Sequence, residues 1–355
     1  MYFKVSWQQD FSDLMHHLWG KYGKDIFTEN GIGEQLDLNK FSTNFFNNNT
    51  TTADISVDAN ANVGGKSIID YNFEFPKPLQ KYNSHYLLWK QLRSSHNLQT
   101  ANEIIEKQIS GEIYINDFTN CALPYCFNYS TYDIALSGLS MSRRMTIYPP
   151  KSLESFIRQM EQFTVYAANS TLGATGLADV LIVASYYVDK ICNTGFDGKI
   201  DVDSQGYFNP DCDKDFSEKD YYTNKIKTYV SEKLRSFIYT LNWEFRGNQS
   251  PFTNVSVYDN YFLDGLVKDY VFPDGNSPKI ETVKNVQKIY VEAMNEELKR
   301  SDLTFPVTTA CFYTKEGKIK DHNFLEYIAK QNLKHGFINI YYGDSSTLSS
   351  CCRLR

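Results

Sequence analysis

Apolar residues recur at helix or strand spacing along most of the chain, and the pattern changes character behind the first fifty residues. In residues 11–22, Leu14, Leu18 and Tyr22 fall on one side of a short helix. A polar tract, 44–52, follows, broken only by Phe45 and Phe46, and is expected to be a loop or linker. Residues 97–109 read as a helix closed by Gly111, with a strand over 112–115 behind it. In 152–168, Leu153, Phe156, Ile157, Met160 and Phe163 share a face, with Ser152 as the cap. A second apolar helix is expected over 177–191, then a Gly- and Asp-rich loop over 193–215. A long helix over about 218–243 follows, with Ser217 as its cap and Tyr222, Ile226, Tyr229, Val230, Phe237, Ile238 and Leu241 as its stripe.

From Pro251 the rhythm is regular. Strand 252–257 precedes helix 278–299, strand 305–312 precedes helix 323–334, and strand 337–341 closes the series. Alternation of this kind means parallel strands joined by helical crossovers, so the fold class is α/β with a large helical component. The pattern does not separate a barrel from an open doubly wound sheet. No repeat of fixed period is visible.

The length of 355 residues allows one large domain or two ordinary ones. The 15% of aromatic residues, mostly Tyr and Phe, predicts an aromatic core. A net charge of -6 argues against general binding to DNA, RNA or anionic membranes. No run approaches the ~20 apolar residues of a membrane span, and the first nine residues lack a signal-peptide core, so a cytoplasmic location is expected. The cysteines are Cys121, Cys126, Cys192, Cys212, Cys311, Cys351 and Cys352, an odd and scattered set without Cys-x-x-Cys. Neither a disulfide framework nor a metal site is expected in these residues.

Three partial motifs fail on chemistry. Gly64-Gly65-Lys66-Ser67 ends like a phosphate loop, but Asn60 stands where the first glycine is needed. Asp201-Val202-Asp203-Ser204-Gln205-Gly206 opens like a calcium loop, but Cys212 stands where the bidentate Glu belongs. His16, His17, His85, His96, His322 and His335 make no metal spacing.

An ordered set of segments carries more weight. These are Gly111-Glu112-Ile113-Tyr114-Ile115-Asn116-Asp117, Leu123-Pro124-Tyr125-Cys126, Ser250-Pro251-Phe252-Thr253-Asn254, Phe305-Pro306-Val307-Thr308-Thr309, and Ser349-Ser350-Cys351-Cys352-Arg353-Leu354. In this order, over roughly residues 53–355, the chain resembles the catalytic subunit of anaerobic (class III) ribonucleoside-triphosphate reductases. The resemblance implies the first half of a ten-stranded α/β barrel of the glycyl-radical type, behind an N-terminal extension and linker over 1–52. It also implies reduction of ribonucleoside triphosphates to deoxyribonucleoside triphosphates for DNA synthesis. The chemistry would run from a glycyl radical, installed by an activase using S-adenosylmethionine and an iron–sulfur cluster, to a cysteine.

The resemblance assigns Cys126 to the substrate-facing thiol of the barrel. Cys351 and Cys352 match paired cysteines, one of which is implied as the radical carrier; side chains adjacent in an extended segment point opposite ways, so one at a time faces a substrate. Asn254, Ser256, Thr308 and Thr309 are the substrate-binding candidates on two strands. Asn116 stands where many relatives carry His, which weakens an acid–base role there. The implied partners are the nucleotide substrate, nucleotide effectors, the activase, a C-terminal reductase fragment and a second copy in a homodimer. Formate or a thiol system is the implied reductant.

The family's radical glycine, in an Arg-x-x-Gly-Tyr-like segment, and its four-cysteine zinc site are not found in these residues. An isolated half-barrel would expose an apolar edge and unpaired strand groups, so instability and inactivity on its own are expected. The alternative reading is an inactive remnant that binds nucleotide or dimerises with an intact reductase. Another glycyl-radical lyase is disfavoured by the Ser-Pro-Phe-Thr-Asn segment.

Overall fold

The computed structural model describes residues 7–23, 39, 42–43, 77–115, 118, 126–142, 145–171, 173–194, 218–243, 245 and 250–344. The chain divides into two compact units: described residues up to Phe118 belong to the first, and those from Cys126 onward to the second. The expected boundary at 52/53, the polar tract 44–52, most of the loop 193–215, and Cys121, Cys212, Cys351 and Cys352 lie outside the described residues.

The first unit is helical: α1 (Gln9–Tyr22), α2 (Lys77–Ser95) and α3 (Leu98–Ser110). Phe11, Leu14, Met15 and Leu18 of α1 meet Trp89 of α2 and Ala101 and Ile105 of α3 in one core. Trp89 is fully buried, and its indole N–H donates to Asn102 Oδ1 at 2.8 Å, so the ring is buried without an orphaned donor. Asn97 caps α3 by accepting from Thr100 N, and Gly111 ends it in the left-handed region. The expected strand 112–115 does not form. Ile113 N donates back to Lys107 O, so the chain turns at the helix end, and its alternating residues have no described strand beside them.

The second unit is built on parallel strands. In chain order its elements are β1 (Phe127–Asn128), α4 (Thr131–Ser137), the hairpin β2 (Leu139–Ser142) and β3 (Met145–Ile147), α5 (Leu153–Ala168), β4 (Thr175–Gly176), α6 (Val180–Thr194) and α7 (Glu218–Leu241). Then come β5 (Thr253–Tyr258), α8 (Asn260–Leu266), α9 (Ile280–Leu298), β6 (Val307–Lys315), β7 (Lys318–Ile319), α10 (His322–His335) and β8 (Ile338–Gly343). Strands β1, β4, β5, β6 and β8 pair in that order, every pair parallel; β7 pairs antiparallel with the end of β6.

Among the described strands, order follows chain order, without the reversal that defines a doubly wound sheet. Parallel crossovers are right-handed almost without exception, so a sheet wound in one direction receives all its crossovers on one face. This is the mixed α/β fold expected, and it decides against the open doubly wound alternative.

Helix ends in this unit are satisfied partly from a distance. The Asp179 carboxylate, fully buried, accepts from Thr131 N (3.0 Å), Thr131 Oγ1 (2.8 Å) and Tyr132 N (3.3 Å) at the start of α4. Burial pushes its pKa up, against the pull of those donors. Helix α9 has no cap of its own; Asp189 on α6 accepts from Lys279 N (3.0 Å) and Thr282 Oγ1 (2.6 Å). Arg235 on α7 forks onto Glu296 and Glu297 of α9, tying the two helices together. Among the described residues no helix is long and apolar enough to cross a membrane.

One buried titratable group in the first unit sets a pH dependence. His85 places Nδ1 2.8 Å from the Lys81 carbonyl, its other nitrogen against the Gln108 side chain, and its ring edge-on to Phe118. Burial lowers its pKa from 6.5 to about 4. The unfolded chain therefore binds this proton before the folded one does, and the contribution is complete above about pH 6.5 and lost as pH falls toward 4. Denaturation of the wild type should show a loss reaching roughly 3 kcal/mol across that window, and His85→Gln should remove that component. Identical pH profiles for the two proteins would contradict this assignment.

Candidate functional site

The pleat sorts the residues of the sheet onto two faces. Register pairs Asn254 with Val307, Val255 with Thr308, Ser256 with Thr309 and Val257 with Ala310. It continues to β8, where Thr308 lies beside Ile338 and Thr309 beside Asn339. Val255, Val257, Thr308, Ala310 and Ile338 thus share one face, and Asn254, Ser256, Thr309 and Asn339 share the other.

The first face meets the helices. Thr308 Oγ1 lies 2.7 Å from the Tyr290 hydroxyl of α9, and Phe312 packs on Phe324 of α10. Burial raises the Tyr290 pKa, so its phenol stays protonated beside Thr308. The second face carries amide and hydroxyl groups bonded to one another. Asn254 Nδ2 donates to Val307 O (2.9 Å) and Thr309 Oγ1 (3.0 Å), and Ser256 Oγ lies 3.4 Å from Asn254 Oδ1. All three side chains are fully buried. A buried polar network of this kind costs less than its isolated parts only while every member is paired, so its geometry is held tightly.

Cys126 joins this face at the neighbouring edge. It stands immediately before β1. Alternation places it on the same side as Asn128, and register sets Asn128 beside Gly176 and Gly176 beside Asn254. The Ala174 N–H donates to Cys126 Sγ at 3.2 Å, which fixes the direction of a half-buried thiol.

Four of the sequence-predicted residues, Cys126, Asn254, Ser256 and Thr309, therefore lie on one side of one sheet. Thr308 lies on the other side, where α9 occupies its hydroxyl. Sequence reasoning passed over Asn128, Gly176 and Asn339; Asn128 shares the period of two with Cys126, the one signal that points to it. Cys311 is buried beside Tyr258 at the end of β5, and Cys192 is exposed near the end of α6.

A separate cavity of about 220 Å³ lies in the helix layer past the end of β5, lined by Gln287, Lys284, Lys288 and Val291 of α9 and Phe324 and Tyr327 of α10. Gln287 is already committed to both backbone groups of Tyr258. This cavity is on the helix side of the sheet, away from the polar face. Among the described residues no group of three or more His, Cys, Asp or Glu is placed to hold a metal ion.

A sheet whose described strands follow chain order, with a thiol, an amide and hydroxyls on one face, defines a mixed α/β protein. Residues 80–355 match the family described as anaerobic ribonucleoside-triphosphate reductase, and the chain belongs to that family.

Solved structures agree. The chain is similar to the Thermotoga maritima anaerobic ribonucleotide reductase with citrate in the active site, at 29% identity and a TM-score of 0.78, over 97% of this chain and 56% of that one. The same reductase in complex with dATP and CTP matches over 99% of this chain and 53% of its own length, also at 29% identity and 0.78. A further anaerobic ribonucleotide reductase matches at 30% identity and 0.79, over 97% and 50%. The chain thus spans about half the length of these relatives. No curated protein sequence matches it.

The two threonines give a direct test. Thr308→Val should orphan the Tyr290 hydroxyl and cost about 1 to 3 kcal/mol of stability, while Thr308→Val with Tyr290→Phe should recover most of it. Chemical denaturation of the two variants and Tyr290→Phe closes the cycle. Additive losses would show that the pair is not coupled.

Proposed function

We propose that this chain forms the substrate-holding half of a reductase that converts ribonucleoside triphosphates to deoxyribonucleoside triphosphates. The observation that carries this reading is the polar face of Asn254, Ser256 and Thr309 beside the Cys126 thiol, in a chain of the anaerobic reductase family. A ribose offers hydroxyls that both donate and accept, and amide and hydroxyl side chains match that need without charge. The glycyl radical of such an enzyme would supply a one-electron oxidising equivalent.

Within this chain, Cys126 presents a sulfur that can give up a hydrogen atom and reducing equivalents, aimed by the Ala174 N–H. Asn254, Ser256 and Thr309 orient the sugar and keep water from it. Cys351 or Cys352 brings the second sulfur. The match to a reductase solved with dATP and CTP supports nucleotides as both substrate and effector here. An activase, a second copy in a homodimer and a glycine-bearing segment complete the proposed assembly.

The test is anaerobic turnover of a ribonucleoside triphosphate by this chain, supplied with a reductase C-terminal segment, its activase, S-adenosylmethionine and a reductant. Wild type should yield deoxyribonucleotide, and Cys126→Ser should lose roughly a thousandfold, about 4 kcal/mol of barrier, while melting at the same temperature. No product from the complete wild-type mixture would sink the reading. Undiminished turnover by Cys126→Ser would remove Cys126 from the chemistry.

A further inference from the structure

Among the described residues, Asn128 is the member of the polar face whose side chain makes no hydrogen bond. Asn254 is tied to Val307 and Thr309, and Cys126 is held by the Ala174 N–H. Asn128 lies two residues on from Cys126, is exposed, and makes no hydrogen bond to a described residue. An exposed planar amide with a donor and an acceptor is therefore presented on the same face as the thiol and Asn254.

Its position is enforced. A Cβ built on Gly176 would overlap the Asn128 carboxamide oxygen, so the side chain lies over Gly176 in the space a larger residue would fill. Gly176 is at an ordinary backbone angle, so its small size answers to this contact and not to chain conformation. Register then runs Asn128, Gly176, Asn254 across three strands, which directs the amide toward the network of Asn254 and Thr309.

We propose that Asn128 is a specificity-determining residue that hydrogen-bonds the ribose hydroxyls of the nucleotide, with Gly176 as the positioning residue that holds it there. This rests on the nucleotide reading given above. Adjacent 2′ and 3′ hydroxyls present a donor and an acceptor side by side, and one carboxamide can engage both. A deoxyribonucleotide lacks one of the two, so product would be held more weakly at this point than substrate.

The test reads the site locally. Alkylation of Cys126 by iodoacetamide is followed by mass spectrometry as CTP or dCTP is added, with the exposed Cys192 as internal standard. In wild type CTP should slow labelling of Cys126 at lower concentration than dCTP does. In Asn128→Ala the half-protecting concentration of CTP should rise about tenfold while that of dCTP stays put. Gly176→Ala, which drives the amide from its place, should reproduce that loss.

Protection by CTP that is the same in wild type and Asn128→Ala overturns the role of Asn128 and leaves the nucleotide reading standing. Loss in Asn128→Ala with wild-type protection in Gly176→Ala removes only the positioning role of Gly176. No protection of the wild type by either nucleotide overturns both readings.

Discussion

A parallel strand ends at the opposite end of the sheet from where its neighbour begins, and this one constraint shapes the second unit. Each return must be made by a helix-bearing crossover. Because β1, β4, β5, β6 and β8 succeed one another in chain order, and crossovers share one hand, the crossovers gather on one face. Val255, Val257 and Ala310 are buried against helices there. The other face is released from packing α5, α6, α7, α9 and α10, so it can carry Asn254, Ser256 and Thr309. Division of labour between the faces follows from topology before any chemistry is assigned.

Holding the polar face in place falls to the layer behind it. The carboxylate of Asp179 anchors the start of α4 from beyond β4, and Asp189 anchors the start of α9 from α6. Asp259 caps α8 through Phe262 N and also accepts from Tyr313 N, linking the end of β5 to β6. Buried carboxylates of this kind are held by several donors each, and removing any one donor exposes a charge that burial already penalises. The sheet register on which Cys126, Asn128 and Asn254 depend is thereby pinned at the strand ends, away from the site itself.

Much of this was legible in the sequence where elements are long. The stripe Leu153, Phe156, Ile157, Met160 and Phe163 is buried as its spacing predicts, and Ser152 caps that helix through Ser155. The strands near 252–257, 305–312 and 337–341 are present within a few residues. Helix α2 was missed because its side chains, such as Gln80, Asn83, Ser84 and His85, give no clear apolar stripe, although Trp89 anchors it. Strands β1 and β4 are two residues each, too short for any period to register, yet they carry Asn128 and Gly176. Adjacent Thr308 and Thr309 looked equivalent in sequence; only the pairing with Val255 and Ser256 shows that they face opposite ways.

The central claim is that the polar face of this sheet, and not the helix layer of α9 and α10, receives the nucleotide sugar. The most direct measurement is a crystal structure of the chain with a bound ribonucleoside triphosphate. The ribose should lie within hydrogen-bond distance of the face formed by Asn128, Asn254 and Thr309, with Cys126 Sγ against the sugar. A ribose seated instead among Lys284, Lys288 and Tyr327, between α9 and α10, with the polar face untouched, would contradict the account.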